Sequence, residues 1–302
     1  MHKKAIPRLR TGISANAFSI KSTFMSGQPL TFHAEYSKGN GKETLEYATS
    51  KGVIFLEGTG DERAMSLRYG YSGAYTRAKA LKEIRLRFGI DEDMHSIYKG
   101  IETDAFISEA ISSLYGLRVT QNDPWETTLC FIISQFNNIK RIRGIVQNLR
   151  KRYGEVLNTG DYAASLFPLP KSLAKAGLEE LSACGAGFRS RYIRNAAIKC
   201  SEGWLDDVQG MDYESAKSHL MGLDGVGEKV ADCILLFGYK RYEAFPIDVW
   251  VKRVMEKRYL NSRRSSMREI RAFARSRWKG LAGYAHEYIY TYGRLRGIGA
   301  SK

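Results

Sequence analysis

The rhythm of hydrophobic and polar positions changes once along the chain. Between Ser19 and Gly60, short β-prone runs (Pro29 to Tyr36, Thr44 to Thr49, Val53 to Glu57) are cut by Lys38-Gly39-Asn40-Gly41 and by Lys51-Gly52. Runs of that length divided by such turn residues predict a meander of antiparallel hairpins. Beyond Ala74 the apolar positions recur as Ala78, Leu81, Ile84, Leu86 and Phe88, a helical period, and helices are expected from there onward. Asp123-Pro124 opens one of them, with Asp as N-cap and Pro in the first position, running through Leu129, Ile132 and Ile133. Pro168 and Pro170 mark a loop. Leu178 to Ala183 and Arg189 to Gly203 read as two further helices joined by a turn at Gly185 and Gly187. The chain therefore reads as an α+β protein, with an N-terminal antiparallel β-sheet domain (1–73) followed by two all-helical subdomains. One is formed by 74–124 with 250–302, the other by 125–249, and the second holds a helix pair around a tight hairpin at about 213–237.

The 302 residues are 43% hydrophobic and 26% charged, with no apolar run near the roughly 18 residues of a membrane span. Disorder and membrane insertion are not expected. Lys plus Arg number 47 against 32 acidic residues, a net charge of +15. From Trp250 to Lys302, fourteen Lys or Arg face only Glu256, Glu269 and Glu287. A solvated helix surface accounts for such residues singly, but the summed field attracts a polyanion, which points to nucleic acid. Cys130, Cys184, Cys200 and Cys233 are far apart, and the five histidines show no metal-ligand spacing, so a reduced, intracellular, metal-free protein is expected. The basic stretch Met1 to Gly12 is followed by no apolar core, which argues against a secretory signal and leaves a transit peptide compatible with composition.

Leu223-Asp224-Gly225-Val226-Gly227-Glu228-Lys229 lies between the helical runs Tyr213 to Met221 and Lys229 to Phe237. Glycines in such a turn let backbone N–H groups at the second helix's N-terminus meet a phosphate oxygen. A P-loop is excluded because Glu228 separates Gly227 from Lys229 and Val230 replaces the hydroxyl residue. A dinucleotide fingerprint is excluded because Val230 stands where its third glycine belongs. What remains is a helix-hairpin-helix, a module that grips DNA backbone; a plain core helix pair is the bland reading. Lys229 falls in the first turn of the second helix, where the macrodipole is expected to lower its pKa and free the amine as a nucleophile. A phosphate-pairing lysine is the alternative. Asp248, nineteen residues on in Phe245-Pro246-Ile247-Asp248-Val249-Trp250, precedes the helical run Val249 to Tyr259 and is an N-cap whatever else it does. A lysine and a carboxylate facing one cleft suit amine attack on carbon with proton transfer.

Leu223-x-Gly-Val-Gly-x-Lys229-Val-Ala-Asp-Cys233 followed by Pro246-x-Asp248-Val249 resembles the helix-hairpin-helix plus Gly/Pro-Asp signature of base-excision DNA glycosylases, and within them the 8-oxoguanine DNA glycosylase family. Ser26-Gly27-Gln28, read as part of the sheet, Gln121 to Pro124 with Ser134 to Arg141, Gly187 to Tyr192, and Trp278 to Tyr290 fall in the family's order, so the likeness spans about Ser26 to Tyr290. The resemblance implies a bifunctional glycosylase and lyase without a cofactor, acting as a monomer on double-stranded DNA that contains oxidised guanine, in the cytoplasm or nucleoid of a prokaryote or the nucleus of a eukaryote.

It further implies that Lys229 attacks the sugar carbon of an extruded nucleotide and forms a Schiff base, with Asp248 orienting the amine and stabilising the cationic sugar. Gly27 presents a backbone carbonyl to the oxidised purine, Cys233 and Tyr290 sandwich the base, and His286 meets its Watson–Crick edge. Asn138, Arg141 and Arg189 hold the widowed cytosine, Phe188 is the wedge, and Phe136, Asn137, Gly225, Val226 and Gly227 complete the DNA contacts. Phe136 stands where the family usually has asparagine, His286 for glutamine, Tyr290 for phenylalanine and Trp250 for histidine. These departures leave the lesion and opposite-base preference open, and with them a glycosylase of the same architecture for another damaged base. Cys233 is the last cysteine, so the four clustered cysteines of iron–sulfur relatives have no counterpart here. A non-catalytic helix-hairpin-helix DNA binder is the alternative of a different class. An RNA-binding protein has only the charge in its favour.

Overall fold

The computed structural model describes residues 10–158, 162–262 and 264–298; of the basic stretch Met1 to Gly12, residues 1–9 lie outside them and Arg10 to Gly12 begin the first strand. Five antiparallel strands, β1 (Arg10–Asn16), β2 (Ala34–Gly39), β3 (Lys42–Ala48), β4 (Gly52–Gly60) and β5 (Ala64–Gly73), form one sheet in the order β1-β5-β4-β3-β2. Asn40 and Gly41 both have positive φ (51° and 72°), so the β2–β3 hairpin closes through the two-residue turn that the Asn-Gly pair favours. Two short helices, α1 (Ile20–Met25) and α2 (Pro29–His33), sit between β1 and β2. One sheet face packs Ile13, Leu45, Ile54, Leu56 and Leu67 against Ala80, Ile84 and Phe88 from α3 (Arg77–Arg87) and its C-cap.

The helical part continues with α4 (Met94–Ile101), α5 (Ala105–Ser113), α6 (Pro124–Ser134) and α7 (Ile139–Tyr153). A small ribbon of β6 (Val156–Asn158) and β7 (Ala163–Ser165) follows, then α8 (Pro170–Ala174), α9 (Leu178–Ala183) and α10 (Arg189–Ser201). The hairpin pair is α11 (Tyr213–Leu220) and α12 (Glu228–Tyr239), and α13 (Val249–Tyr259), α14 (Met267–Trp278) and α15 (Ala282–Leu295) complete the order. A single apolar core runs through these helices, with α12 packed on α6 and α13 on α15. Asp123 caps α6 by accepting from Trp125 N and Glu126 N, and Asp248 caps α13, as the sequence predicts. No helix among the described residues is long and apolar enough to cross a membrane.

Two expectations change. Pro29 to Tyr36 is not one strand: residues 29–33 form α2 and only Ala34 onward is extended. Proline at the first helical position starts the turn, and burial of all five residues erases the polar alternation that separates strand from helix. In consequence Ser26-Gly27-Gln28 lies in the turn between α1 and α2, not in the sheet.

That turn is pinned to the helical body by buried hydrogen bonds. Gln28 Nε2 donates to the Arg118 carbonyl (2.8 Å) and its Oε1 accepts from Thr120 N (2.6 Å). The Arg118 side chain is itself fully buried and donates to the carbonyls of Ala17 (2.9 Å), Asn16 (2.6 Å) and Gly89 (2.5 Å). Removing the guanidinium takes the donor from the buried carbonyls of Ala17 and Gly89 and from the part-buried one of Asn16, so Arg118→Met should lower unfolding free energy by about 3 kcal/mol. Urea denaturation checks this, and a loss below about 1 kcal/mol would show that the anchor carries no such weight.

Candidate active site

Helix α12 presents Lys229, Cys233 and Phe237 at i, i+4 and i+8, which places them on one face. Helix α15 does the same with His286, Tyr290 and Arg294. The two faces, the α1–α2 turn and the segment entering α13 enclose a cavity of about 50 Å³ bordered by Gly27, Phe131, Lys229, Cys233, Phe237, Pro246, Asp248, His286, Glu287 and Tyr290. All six residues predicted for catalysis and base recognition are therefore brought to one place. Phe131, Phe237, Pro246 and Glu287 were not anticipated; the i, i+4, i+8 spacing already aligned Phe237 with Lys229. A volume that holds a few waters does not admit a purine, so the pocket must widen before a base can enter.

Lys229 is half-buried, with Nζ 5.0 Å from the centre of the Phe131 ring. Its expected low pKa is not found. Burial acts in that direction, but Cys233, the Asp248 carboxylate and the Tyr290 hydroxyl outweigh it and hold the amine above the ordinary lysine value. The groups around the cavity thus outweigh burial, and the resting amine is an ammonium ion. Asp248 accepts from Val251 N through Oδ1 at 2.7 Å, which fixes the carboxylate as the cap of α13. Burial pushes the Cys233 thiol up to about 12, so the sulfur is neutral, a soft apolar wall with a weak hydrogen-bonding atom.

The opposite wall is aromatic. The His286 and Tyr290 rings are nearly parallel (5°) with centroids 6.0 Å apart. Burial and the Lys229 charge push the His286 pKa down to about 3, so the imidazole is neutral. Its Nδ1 is buried and has no hydrogen-bond partner. In the tautomer that carries its proton on Nε2, Nδ1 is free to accept. Gly27 has φ +94°, and a Cβ there would stand 2.9 Å from Arg294 Nη1 and 3.4 Å from the Tyr290 ring. Glycine is therefore demanded both by its conformation and by the close approach of α15.

A second group of predicted residues lies along the end of α6 and the starts of α7 and α10. Phe136 has φ +46° and is 94% exposed, and Phe188 is 57% exposed. Arg189 is buried between them: Nε donates to the Gln135 carbonyl (3.0 Å), Nη2 to the Phe136 carbonyl (3.2 Å), and the guanidinium carbon lies 4.3 Å from the Phe188 ring centre. Asn137 Nδ2 donates to the Ile133 carbonyl (3.1 Å), Asn138 caps α7 by accepting from Arg141 N (3.0 Å), and Arg141 is exposed. The Arg189 guanidinium is thus engaged with backbone, while Arg141 projects outward.

In the hairpin, Gly225 has φ +80° and a Cβ would meet the Tyr192 ring at 2.7 Å, while Gly227 is the N-cap of α12 and Val226 is buried. Asn195 Nδ2 donates to Asp224 (2.7 Å) and Lys199 Nζ to the Gly222 carbonyl (2.7 Å), so α10 braces the turn. Beneath it, buried Asp232 accepts from the Tyr213 hydroxyl and pairs with Lys217 at 3.0 Å, locking α11 to α12.

Residues 10–128 match the N-terminal domain of 8-oxoguanine DNA glycosylase, and residues 129–280 match the HhH-GPD superfamily of base excision DNA repair proteins. A probable N-glycosylase/DNA lyase of Methanothermobacter thermautotrophicus is 32% identical over 73% of this chain and 77% of its own length. The structure of MBOgg1 in complex with a low-affinity DNA ligand superposes with a TM-score of 0.83 at 29% identity, covering 96% of this chain and 99% of that one. The Clostridium acetobutylicum 8-oxoguanine glycosylase/lyase, bound to duplex DNA with cytosine opposite 8-oxoguanine, shares the fold with a TM-score of 0.82 at 24% identity over 97% and 99% of the two chains. Matched over residues 10–280, across both its sheet and its helical body, the chain belongs to the 8-oxoguanine DNA glycosylase family of the HhH-GPD superfamily.

Proposed function

We propose that the protein excises 8-oxoguanine from duplex DNA, preferably opposite cytosine, through a Schiff base on Lys229, and cleaves the strand by β-elimination. The observation that carries this reading is the convergence of Lys229, Asp248 and Cys233 with Gly27, His286 and Tyr290 on one cavity. The glycine hairpin at 225–227 grips phosphate through the N-terminus of α12, Phe188 fills the vacated stack with Phe136 beside it, Asn138, Arg141 and Arg189 meet the orphaned cytosine, and Asn137 adds to the DNA contacts. The extruded base enters between Cys233 and Tyr290, with the Gly27 carbonyl accepting from the N–H that oxidation adds and His286 Nδ1 accepting from the Watson–Crick edge.

Chemistry starts when the Lys229 ammonium loses its proton. The amine then attacks the anomeric carbon as the glycosidic bond breaks and its electron pair leaves with the base, while the Asp248 carboxylate opposes the positive charge growing on the sugar. Loss of a second amine proton and ring opening give the Schiff base, whose electron demand permits removal of the neighbouring C–H proton and departure of the 3′ phosphate.

Lys229→Gln should abolish excision on a duplex with one 8-oxoguanine opposite cytosine while leaving duplex binding largely intact. A protein that merely used this lysine on a phosphate would instead lose about 0.9 from the slope of log affinity against log salt and never show turnover. Because the resting amine is protonated above the usual lysine range, single-turnover cleavage of an abasic duplex should climb with pH from 6 to 9, by up to about tenfold per unit. A flat profile would mean that the amine is already neutral in the complex.

A further inference from the structure

Glu287 borders the same cavity, next to His286 and one helical turn before Tyr290, and has no part in the chemistry assigned so far. It is 1% exposed, its Oε1 is buried without a hydrogen-bond partner, and its Oε2 lies 3.8 Å from His286 Nδ1, which is also unpartnered. Two unpaired polar groups side by side in a buried wall are costly unless something else meets them.

We propose that the Glu287 carboxyl is a second recognition group for the extruded base, pairing with the Watson–Crick edge on which a ring N–H stands beside a carbonyl oxygen; this rests on the reading of the cavity as a base pocket. The charged and titratable groups around it are His286, Tyr290 and Arg294 on its own helix, Lys229 and Cys233 on α12, and Asp248 at the start of α13. The α1–α2 turn offers it only the uncharged Ser26 and Gln28. Burial outweighs the help that Ser26, Arg294, Thr291 and Gln28 give the carboxylate and pushes its pKa up to about 8.

At neutral pH the group is therefore a carboxylic acid, one O–H donor beside one carbonyl acceptor. A purine edge with a carbonyl acceptor next to an N–H donor is its complement. His286 Nδ1 supplies one more acceptor for an exocyclic amino group. The carboxylate, with acceptors only, would repel that carbonyl, so recognition should fail as Glu287 ionises. An adenine-type edge can also pair with a carboxylic acid, donor and acceptor exchanged, so discrimination against it falls to His286 Nδ1, which there finds no amino group to accept from.

The test is single-turnover kinetics of the parent, Glu287→Gln and Glu287→Ala on two duplexes, one with 8-oxoguanine opposite cytosine and one with an abasic site, where no base needs recognition. Glu287→Ala should lose about 10- to 100-fold in excision and nothing in abasic cleavage. Glu287→Gln, whose amide keeps a donor and an acceptor, should restore excision. Relative to abasic cleavage, excision by the parent should fall above pH 8, and Glu287→Gln should remove that fall. Undiminished excision by Glu287→Ala, or parallel loss of abasic cleavage, would overturn the proposal, the second outcome marking Glu287 as a prop for the turn around Gly27. If the parent cuts the abasic duplex but does not excise 8-oxoguanine, the assignment of the lesion fails instead, before any variant is compared.

Discussion

The site depends on one carboxylate held in a fixed place. Asp248 spends one oxygen on the first-turn N–H of Val251, so its position is set by the start of α13 and not by its own rotamer freedom. Ile247 and Pro246, buried just before it, hold the entering chain against the core. Lys229, in the first turn of α12, borders the same cavity, and Cys233, Asp248 and Tyr290 together keep the amine charged in the resting protein. The same positive charge, with burial, keeps His286 neutral, which makes the ring a hydrogen-bonding group and not a second cation.

Around this pair the walls differ in stiffness. Phe131 and Phe237 stack at 5.7 Å between α6 and α12, inside the main core. On the other side, Arg294 reaches across to the Met25 carbonyl at 2.5 Å and covers Tyr290, with its carbon 5.3 Å from that ring's centre. A surface contact between α15 and the end of α1 is easier to break than stacked core rings. Widening for a base is therefore assigned to the Tyr290–Arg294 side, against the turn at Gly27. Gln28 and Arg118 keep that turn from following, because their bonds run to the helical body and to the ends of β1 and α3.

What could be read from the residues follows the range of the forces involved. Caps, glycine turns and helix periods are local, so the helix at Leu178–Ala183, the caps Asp123 and Asp248 and the hairpin at Gly225–Gly227 were legible with nearly their final bounds. α2 was not, because five buried residues carry no alternation. The strand at Ala64–Gly73 was missed although Met65, Leu67 and Tyr69 alternate inward, since Gly70 and Gly73 and its polar positions masked the run. The protonation of Lys229 was misjudged because the dipole of its own helix is visible in sequence, whereas Asp248's approach is a tertiary fact. Glu287 was counted as one acid in a basic region, and only its burial beside His286 gives it a different meaning.

The most direct measurement is borohydride reduction of the protein with a duplex carrying one 8-oxoguanine opposite cytosine, followed by proteolysis and mass analysis of the DNA-linked peptide. The arrangement of Lys229 and Asp248 requires a reduced adduct on Lys229 and none when Lys229→Gln is used. An adduct mapped to another amine, or product release with no adduct while Lys229→Gln remains fully active, would contradict the assignment of Lys229 as the nucleophile.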